Sequence, residues 1–95
     1  MTNFDSNTKS FGPVKQGAVV EAEYNVVTAR TISSVIPSCG CVDAFIGNKR
    51  VLLRYRTKTI PIHLGNFMED VKFAVVHFTD GTIEKVYLKI TITRL

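Results

Sequence analysis

The sequence predicts an all-β protein, and three observations lead to this fold class. Apolar and polar residues alternate with period two through much of the chain from Phe11 onward, which is typical of strands with one buried face. β-branched and aromatic residues dominate the C-terminal third, and such side chains favour strands. No segment shows the apolar spacing of an amphipathic helix. The chain has 95 residues and a net charge of +4, so we expect one domain.

The N-terminal half contains two predicted strands. The first places alternate apolar residues on one face, namely Ala18, Val20, Ala22, Tyr24 and Val26. The second, from Ile32 to Ile36, is shorter and is ended by Pro37. Before them, residues 1–9 are polar and unpatterned. We therefore predict a flexible N-terminal arm over 1–9 and a folded domain over 10–95.

The C-terminal half contains a further strand and a β-hairpin. In the strand, Val51, Leu53 and Tyr55 alternate with basic residues. Pro61 places the next short apolar stretch at an edge or a turn. The hairpin joins the apolar run 71–78 to a strand with Val86, Leu88, Ile90 and Ile92 on one face. Asp80-Gly81 lies between them and favours the positive φ of a tight turn.

Short strands of this number and spacing favour an immunoglobulin-like (Ig-like) β-sandwich of about seven antiparallel strands. A single closed up-and-down sheet is the alternative architecture. The positions predicted to form the core are Val20, Ala22, Tyr24, Leu53, Tyr55, Val86, Leu88, Ile90 and Ile92.

The only two cysteines lie one residue apart, in the segment Cys39-Gly40-Cys41. Cysteine is a metal ligand, a redox centre or a small buried hydrophobe. Two cysteines supply at most half of a four-ligand zinc site, and a disulfide across two residues is geometrically restricted. We expect the pair to pack at a tight bend, with Gly40 allowing the backbone to turn. Redox and metal roles stay open as alternatives.

Arg54, Arg56 and Lys58 alternate along one predicted strand and so share a face. They form a possible docking stripe for an acidic partner. The competing interpretation is a solvated outer face that protects an edge strand from aggregation. Tyr55 lies on the opposite face from the arginines, which argues against a base-stacking platform and hence against nucleic acid.

The sequence indicates no catalytic constellation, cofactor site or metal site. The serines have no histidine or acid partner at a recognisable spacing, and no glycine-rich phosphate loop is present. We therefore expect neither an enzyme nor a small-molecule substrate. The absence of a long apolar run leads us to expect no membrane partner. The first ten residues do not have the pattern of a secretory signal.

Four segments resemble a bacterial Ig-like family of unknown function that is marked by the sequence SCGC. These are Phe11–Gly17, Ser38–Cys41, Gly65–Phe67 and Leu88–Ile90. The resemblance covers about residues 10 to 95, and its specific part is the SCGC segment. That family is related to Ig-like modules of ciliary and centrosomal scaffolds. The resemblance therefore implies a sandwich fold and a binding role, with no catalytic residues.

These observations lead to three functional hypotheses. The first is a small structural protein of a tailed bacteriophage particle that decorates the head or bridges neck and tail, assembled in the host cytoplasm. Its partners would be capsid, neck or tail proteins, or a second copy in a homo-oligomer. The second is a scaffold or adhesion domain of the bacterial cytoplasm or cell envelope, including the periplasm. The third is a thiol redox or metal-binding protein.

Overall fold

The structure, a computed structural model, describes residues 3–94 and consists of two β-sheets. The strands are β1 (Thr8–Lys15), β2 (Val19–Asn25), β3 (Ile32–Pro37), β4 (Val42–Gly47), β5 (Arg50–Arg56), β6 (Phe67–Phe78) and β7 (Ile83–Thr93). A 3-10 helix, Ile62–Leu64, lies between β5 and β6, and the described residues contain no α-helix. The all-β prediction is confirmed, and two separate sheets take the place of one closed sheet.

One sheet has the strand order β1-β7-β6-β3 and the other has the order β2-β5-β4. All neighbouring strands are antiparallel except β1 and β7, which run parallel. The prediction of antiparallel strands throughout is therefore wrong for β1. Because the chain crosses from β1 to β2 in the other sheet, no hairpin links β1 to its neighbour β7, and its direction is free.

The inner faces of the two sheets enclose one apolar core. All nine positions predicted to form the core are buried. They come from β2, β5 and β7, where the period of two leaves one face for the core and one for solvent. Further buried residues from outside those predictions are Phe4, Val42, Val51, Ile60, Ala74, Val76 and Phe78.

The strand β4 had no clear signal in the sequence. Of its six residues only Val42 is buried, while Phe45 and Ile46 are half exposed. The alternation that reveals a half-buried strand is therefore lost over most of β4. Pairing along the whole length of β5 holds β4 in place instead.

The predicted flexible arm over residues 1–9 is wrong for the described residues 3–9. Phe4 is 1% exposed, and its ring lies 6.4 Å from Tyr24 and 6.0 Å from Phe78. The backbone of this segment pairs with both sheets: Asp5 N donates to the Asn25 carbonyl, and Tyr87 N donates to the Asn7 carbonyl. The segment crosses from one sheet to the other and covers the core, so the folded domain includes residues 3–9. Met1 and Thr2 lie outside the described residues.

The start of the family-like segment Phe11–Gly17 forms an irregularity in β1. The register with β7 shifts between Phe11 and Val14. A Cβ atom on Gly12 would lie 2.6 Å from the Cβ of Thr91, which is closer than two carbon atoms can approach. Glycine at this position therefore lets β1 pass close to β7.

Replacing Phe4 with Ala is expected to lower the free energy of unfolding by about 3–5 kcal/mol, because the substitution removes a buried aromatic ring from between the sheets. Urea denaturation measures the change. Val27→Ala is the matched control, since Val27 is 63% exposed and its loss should change stability by no more than about 0.5 kcal/mol. An unchanged midpoint for Phe4→Ala would contradict the placement of this segment in the core.

Candidate interaction site

The Cys39-Gly40-Cys41 segment connects β3 in one sheet to β4 in the other. Cys39 and Cys41 form a disulfide, with their Cα atoms 5.3 Å apart. Ser38 fixes the start of this connection, since its N–H donates to the Phe73 carbonyl and its hydroxyl accepts from the Phe73 N–H.

The expectation that both cysteines pack as free thiols at a bend is therefore wrong. The tight connection brings the two Cα atoms within the range that a disulfide spans. Only Cys39 packs against the core, while Cys41 is exposed. Gly40 does not have a positive φ, and nothing lies within 4 Å of where its Cβ would be. The bend therefore does not require glycine.

The basic stripe is shorter than the sequence suggested, and one of its charges is paired with an acidic side chain. Arg54 and Arg56 point outward from β5, whereas Lys58 follows the end of the strand. The Arg54 guanidinium lies 3.2 Å from Glu21 on β2 and 5.3 Å from the Phe45 ring on β4. Arg56 donates to the Gly17 carbonyl at 3.0 Å. The pairing of Arg54 with Glu21 on the neighbouring strand favours the interpretation of the outward β5 positions as a solvated outer face.

The same outer face contains a depression of about 320 Å³ beside the exposed side chain of Phe45. Ile46 and Leu52 add apolar surface to it. The ion pair between Arg50 and Glu23, at 3.3 Å, closes one side. With three apolar side chains in its lining, the depression offers an apolar contact.

The opposite outer face, on the four-stranded sheet, is apolar where solvent is expected. We call it the β6–β7 face and define it by residues that alternate with buried ones. Val71, Ile36 and Ile83 are between 52% and 58% exposed on this face. Phe73, Val75 and Tyr87 are half-buried and complete the β6–β7 face, together with Lys85 and Lys89.

The centre of the β6–β7 face is an aromatic pair. Phe73 and Tyr87 lie opposite each other on neighbouring strands, with their ring centroids 6.2 Å apart. The Lys85 Nζ lies 5.2 Å from the Phe73 ring centroid, within the range of a cation–π contact. Lys89 lies opposite Val71. The face thus combines exposed apolar area with positive charge.

A semi-buried polar cluster lies under one end of the β6–β7 face. The Tyr55 hydroxyl donates to Asp70, and the Lys72 Nζ lies 3.6 Å from the same carboxylate. Burial raises the pKa of Tyr55 above its usual range, and the hydrogen bond and charge of Asp70 raise it further. Tyr55 therefore stays a neutral donor that ties β5 to β6, which is a structural role.

Neither a metal site nor a spanning helix is found in the part of the chain that the structure describes. Within residues 3–94, no group of three or more His, Cys, Asp or Glu side chains is placed to hold a metal ion. No helix in this range is long and apolar enough to cross a membrane.

Comparisons with protein families, curated proteins and solved structures found no match to this chain. The resemblance to the SCGC-containing Ig-like family therefore stays a prediction from the motifs. The functional assignment depends on the geometry of the chain itself.

Replacing both Cys39 and Cys41 with Ala is expected to lower the free energy of unfolding by no more than about 2 kcal/mol. The disulfide joins residues two apart in sequence, and a loop so short restricts the unfolded chain by only about 1.5 kcal/mol. Denaturant unfolding of the variant, and of the wild type reduced with dithiothreitol, measures the effect. A loss of unfolding free energy above about 4 kcal/mol in both samples would contradict the small stabilising role of the disulfide.

Proposed function

We propose that this chain is a non-enzymatic, Ig-like interaction module that attaches to a larger protein assembly through the β6–β7 face. The strand grouping supports the Ig-like part of the proposal. Ig domains place strands two, four and five in one sheet and strands three, six and seven in the other. The same grouping occurs here, with β1 at the edge beside β7.

The observation that carries the proposal is the apolar character of an outward sheet face. Large contiguous exposed apolar surface on a small domain marks an interaction site. On the β6–β7 face the apolar residues come from three adjacent strands, β3, β6 and β7. Aromatic residues at the centre, here Phe73 and Tyr87, are typical of the side chains that dominate binding energy.

Charge indicates the chemistry of the partner. The outer side of this sheet has Lys15, Lys85 and Lys89 and only one acidic residue, Glu69. A partner with apolar patches and acidic groups would complement it, and opposite charge would also speed association. A second copy of the chain would place lysines near lysines, which disfavours self-association through this face.

The more specific form of the proposal is a structural protein of a tailed bacteriophage particle, as the sequence analysis suggested. A small rigid sandwich with one binding face suits decoration of a protein lattice. An adhesion or scaffold role in the bacterial cytoplasm or envelope requires the same kind of face. Purified particles that contain the protein in a fixed copy number would support the first role, and its absence from particles would exclude it.

Replacing Val71 with Glu is expected to reduce attachment to the partner assembly about tenfold or more. The substitution removes an exposed apolar contact worth about 1.5–3 kcal/mol and adds a charge that an acidic partner repels. Co-sedimentation with particles, or with protein assemblies from a membrane-free lysate, measures the change. The purified variant and the wild type are compared over the same range of concentrations.

Arg54→Ala is the matched control for the Val71 variant, because Arg54 lies on the opposite outer face and is already paired with Glu21. Attachment of the control should change less than about twofold, given the small energy of exposed ion pairs. Equal attachment of wild type and Val71→Glu would refute the β6–β7 face as the docking site. A dimer that Val71→Glu abolishes would assign the face to a second copy instead.

A thiol redox role is a second candidate, favoured by the disulfide and by the exposure of its residue Cys41. In such a role the thiolate of a partner dithiol attacks the Cys41 sulfur and releases the Cys39 thiolate, which takes up a proton. The second partner thiol then displaces Cys41, so the partner is oxidised and this chain is reduced. Attachment that survives in the Cys39→Ala, Cys41→Ala variant, with wild-type affinity, would separate the binding role from the redox role.

A further inference from the structure

The connection between β5 and β6 exposes large apolar side chains at one end of the sandwich. Ile62 is 91% exposed, and Leu64 and Phe67 are about half exposed. None of the three contributes to the buried core. We call residues 57–67 the tip. Its apolar side chains are not explained by folding, because side chains this exposed gain little from burial.

The tip is held in a defined conformation rather than left as a free loop. Within the tip, Ile60 is buried in the core, and its N–H donates to the Gln16 side chain. The Arg94 guanidinium donates to the carbonyls of Pro61 and Gly65, on either side of the 3-10 helix. Ile62 and Leu64 are therefore presented by a fixed backbone, which lowers the entropy cost of binding.

Four basic residues lie near the tip, and the nearest acidic residue in the chain is Glu69, two residues after Phe67. Two of the basic residues stand at strand ends on this side of the sandwich. Lys15 ends β1 and lies opposite Thr93 at the end of β7, and Arg56 ends β5 and lies opposite Val19 at the start of β2. Lys58 and Arg94 complete the set of four, all close to the tip in the chain or by hydrogen bonds. The segments that form this end of the sandwich, 15–20, 56–68 and 93–94, contain no Asp or Glu.

We propose that the tip docks on the surface of an anionic lipid bilayer. In this arrangement Ile62, Leu64 and Phe67 enter the boundary between headgroups and acyl chains. The four basic residues then lie at the level of the anionic headgroups, where each contributes favourable energy. The sequence led us to expect no membrane partner because no segment spans one, but a surface contact needs no spanning segment.

Two features favour a bilayer over an acidic protein as the occupant. The apolar side chains lie at the end of a molecule that is 46 Å long and 22 × 18 Å across, which is a small area for a protein interface of about 800 Å² per partner. The apolar side chains also lie close to positive charge, with Lys58 in the same segment and Arg94 hydrogen-bonded to it. This combination matches the layering of a membrane surface, apolar inside and anionic outside.

Co-sedimentation with vesicles tests the proposal. Wild type should bind vesicles of equal parts phosphatidylcholine and phosphatidylglycerol, and should bind phosphatidylcholine vesicles weakly or not at all. Ile62→Ser should reduce the partition coefficient about tenfold. Lys58→Ser should reduce it about fivefold. Raising the salt concentration should weaken wild-type binding, because salt screens the charges.

The control is Val27→Ser, an exposed valine at the opposite end. It should bind anionic vesicles like wild type, and an unchanged circular dichroism spectrum should accompany every variant. Val71→Ser tests the β6–β7 face as the competing surface without adding a negative charge. No binding to anionic vesicles, or equal binding by Ile62→Ser and wild type, would overturn the proposal. Loss of binding in Val71→Ser but not in Ile62→Ser would transfer lipid binding to the other face and refute the tip.

Discussion

The apolar core between the two sheets is the constraint on which the rest of this structure depends. Three strands, β2, β5 and β7, contribute alternate buried residues to it along most of their length. Tyr24 adds a polar tie across the core, since its hydroxyl donates to the Tyr87 carbonyl at 2.5 Å in the opposite sheet. With one face of each strand fixed by burial, only the outward positions and the ends of the sandwich are free to serve binding.

Period-two alternation predicted nine of the sixteen buried apolar residues, but it could not reveal contacts that depend on how strands pair. Phe4 is buried, and its backbone forms only an isolated bridge, to Val26. A single buried residue outside a strand does not produce a periodic pattern in the sequence. The shared face of Arg54 and Arg56 was predicted correctly. Their weakness as a docking stripe follows from the register of β5 against β2, which puts Glu21 opposite Arg54. Register between distant strands is not a local property of sequence.

The β6–β7 face had a sequence signal that the hairpin prediction did not use. A strand with one solvated face alternates, whereas the run 71–78 is apolar on both faces over most of its length. Such a run is typical of a strand buried on both sides. Within residues 3–94 one side packs on the core, and no other described element covers the other side. Docking on a partner would bury the outward apolar residues of this run, which the fold leaves exposed.

The positions of the two proposed surfaces make them compatible with one another. The molecule measures 46 × 22 × 18 Å, and a strand as long as β6 extends about 40 Å, so the hairpin runs along the long axis. The tip lies at one end of that axis, and the β6–β7 face lies along its side. Contact of the tip with a bilayer would therefore stand the sandwich upright on the membrane. The β6–β7 face would then point sideways, where a protein partner can reach it. An envelope scaffold that held lipid and protein at one domain would use both surfaces, whereas a particle decoration would use the β6–β7 face alone.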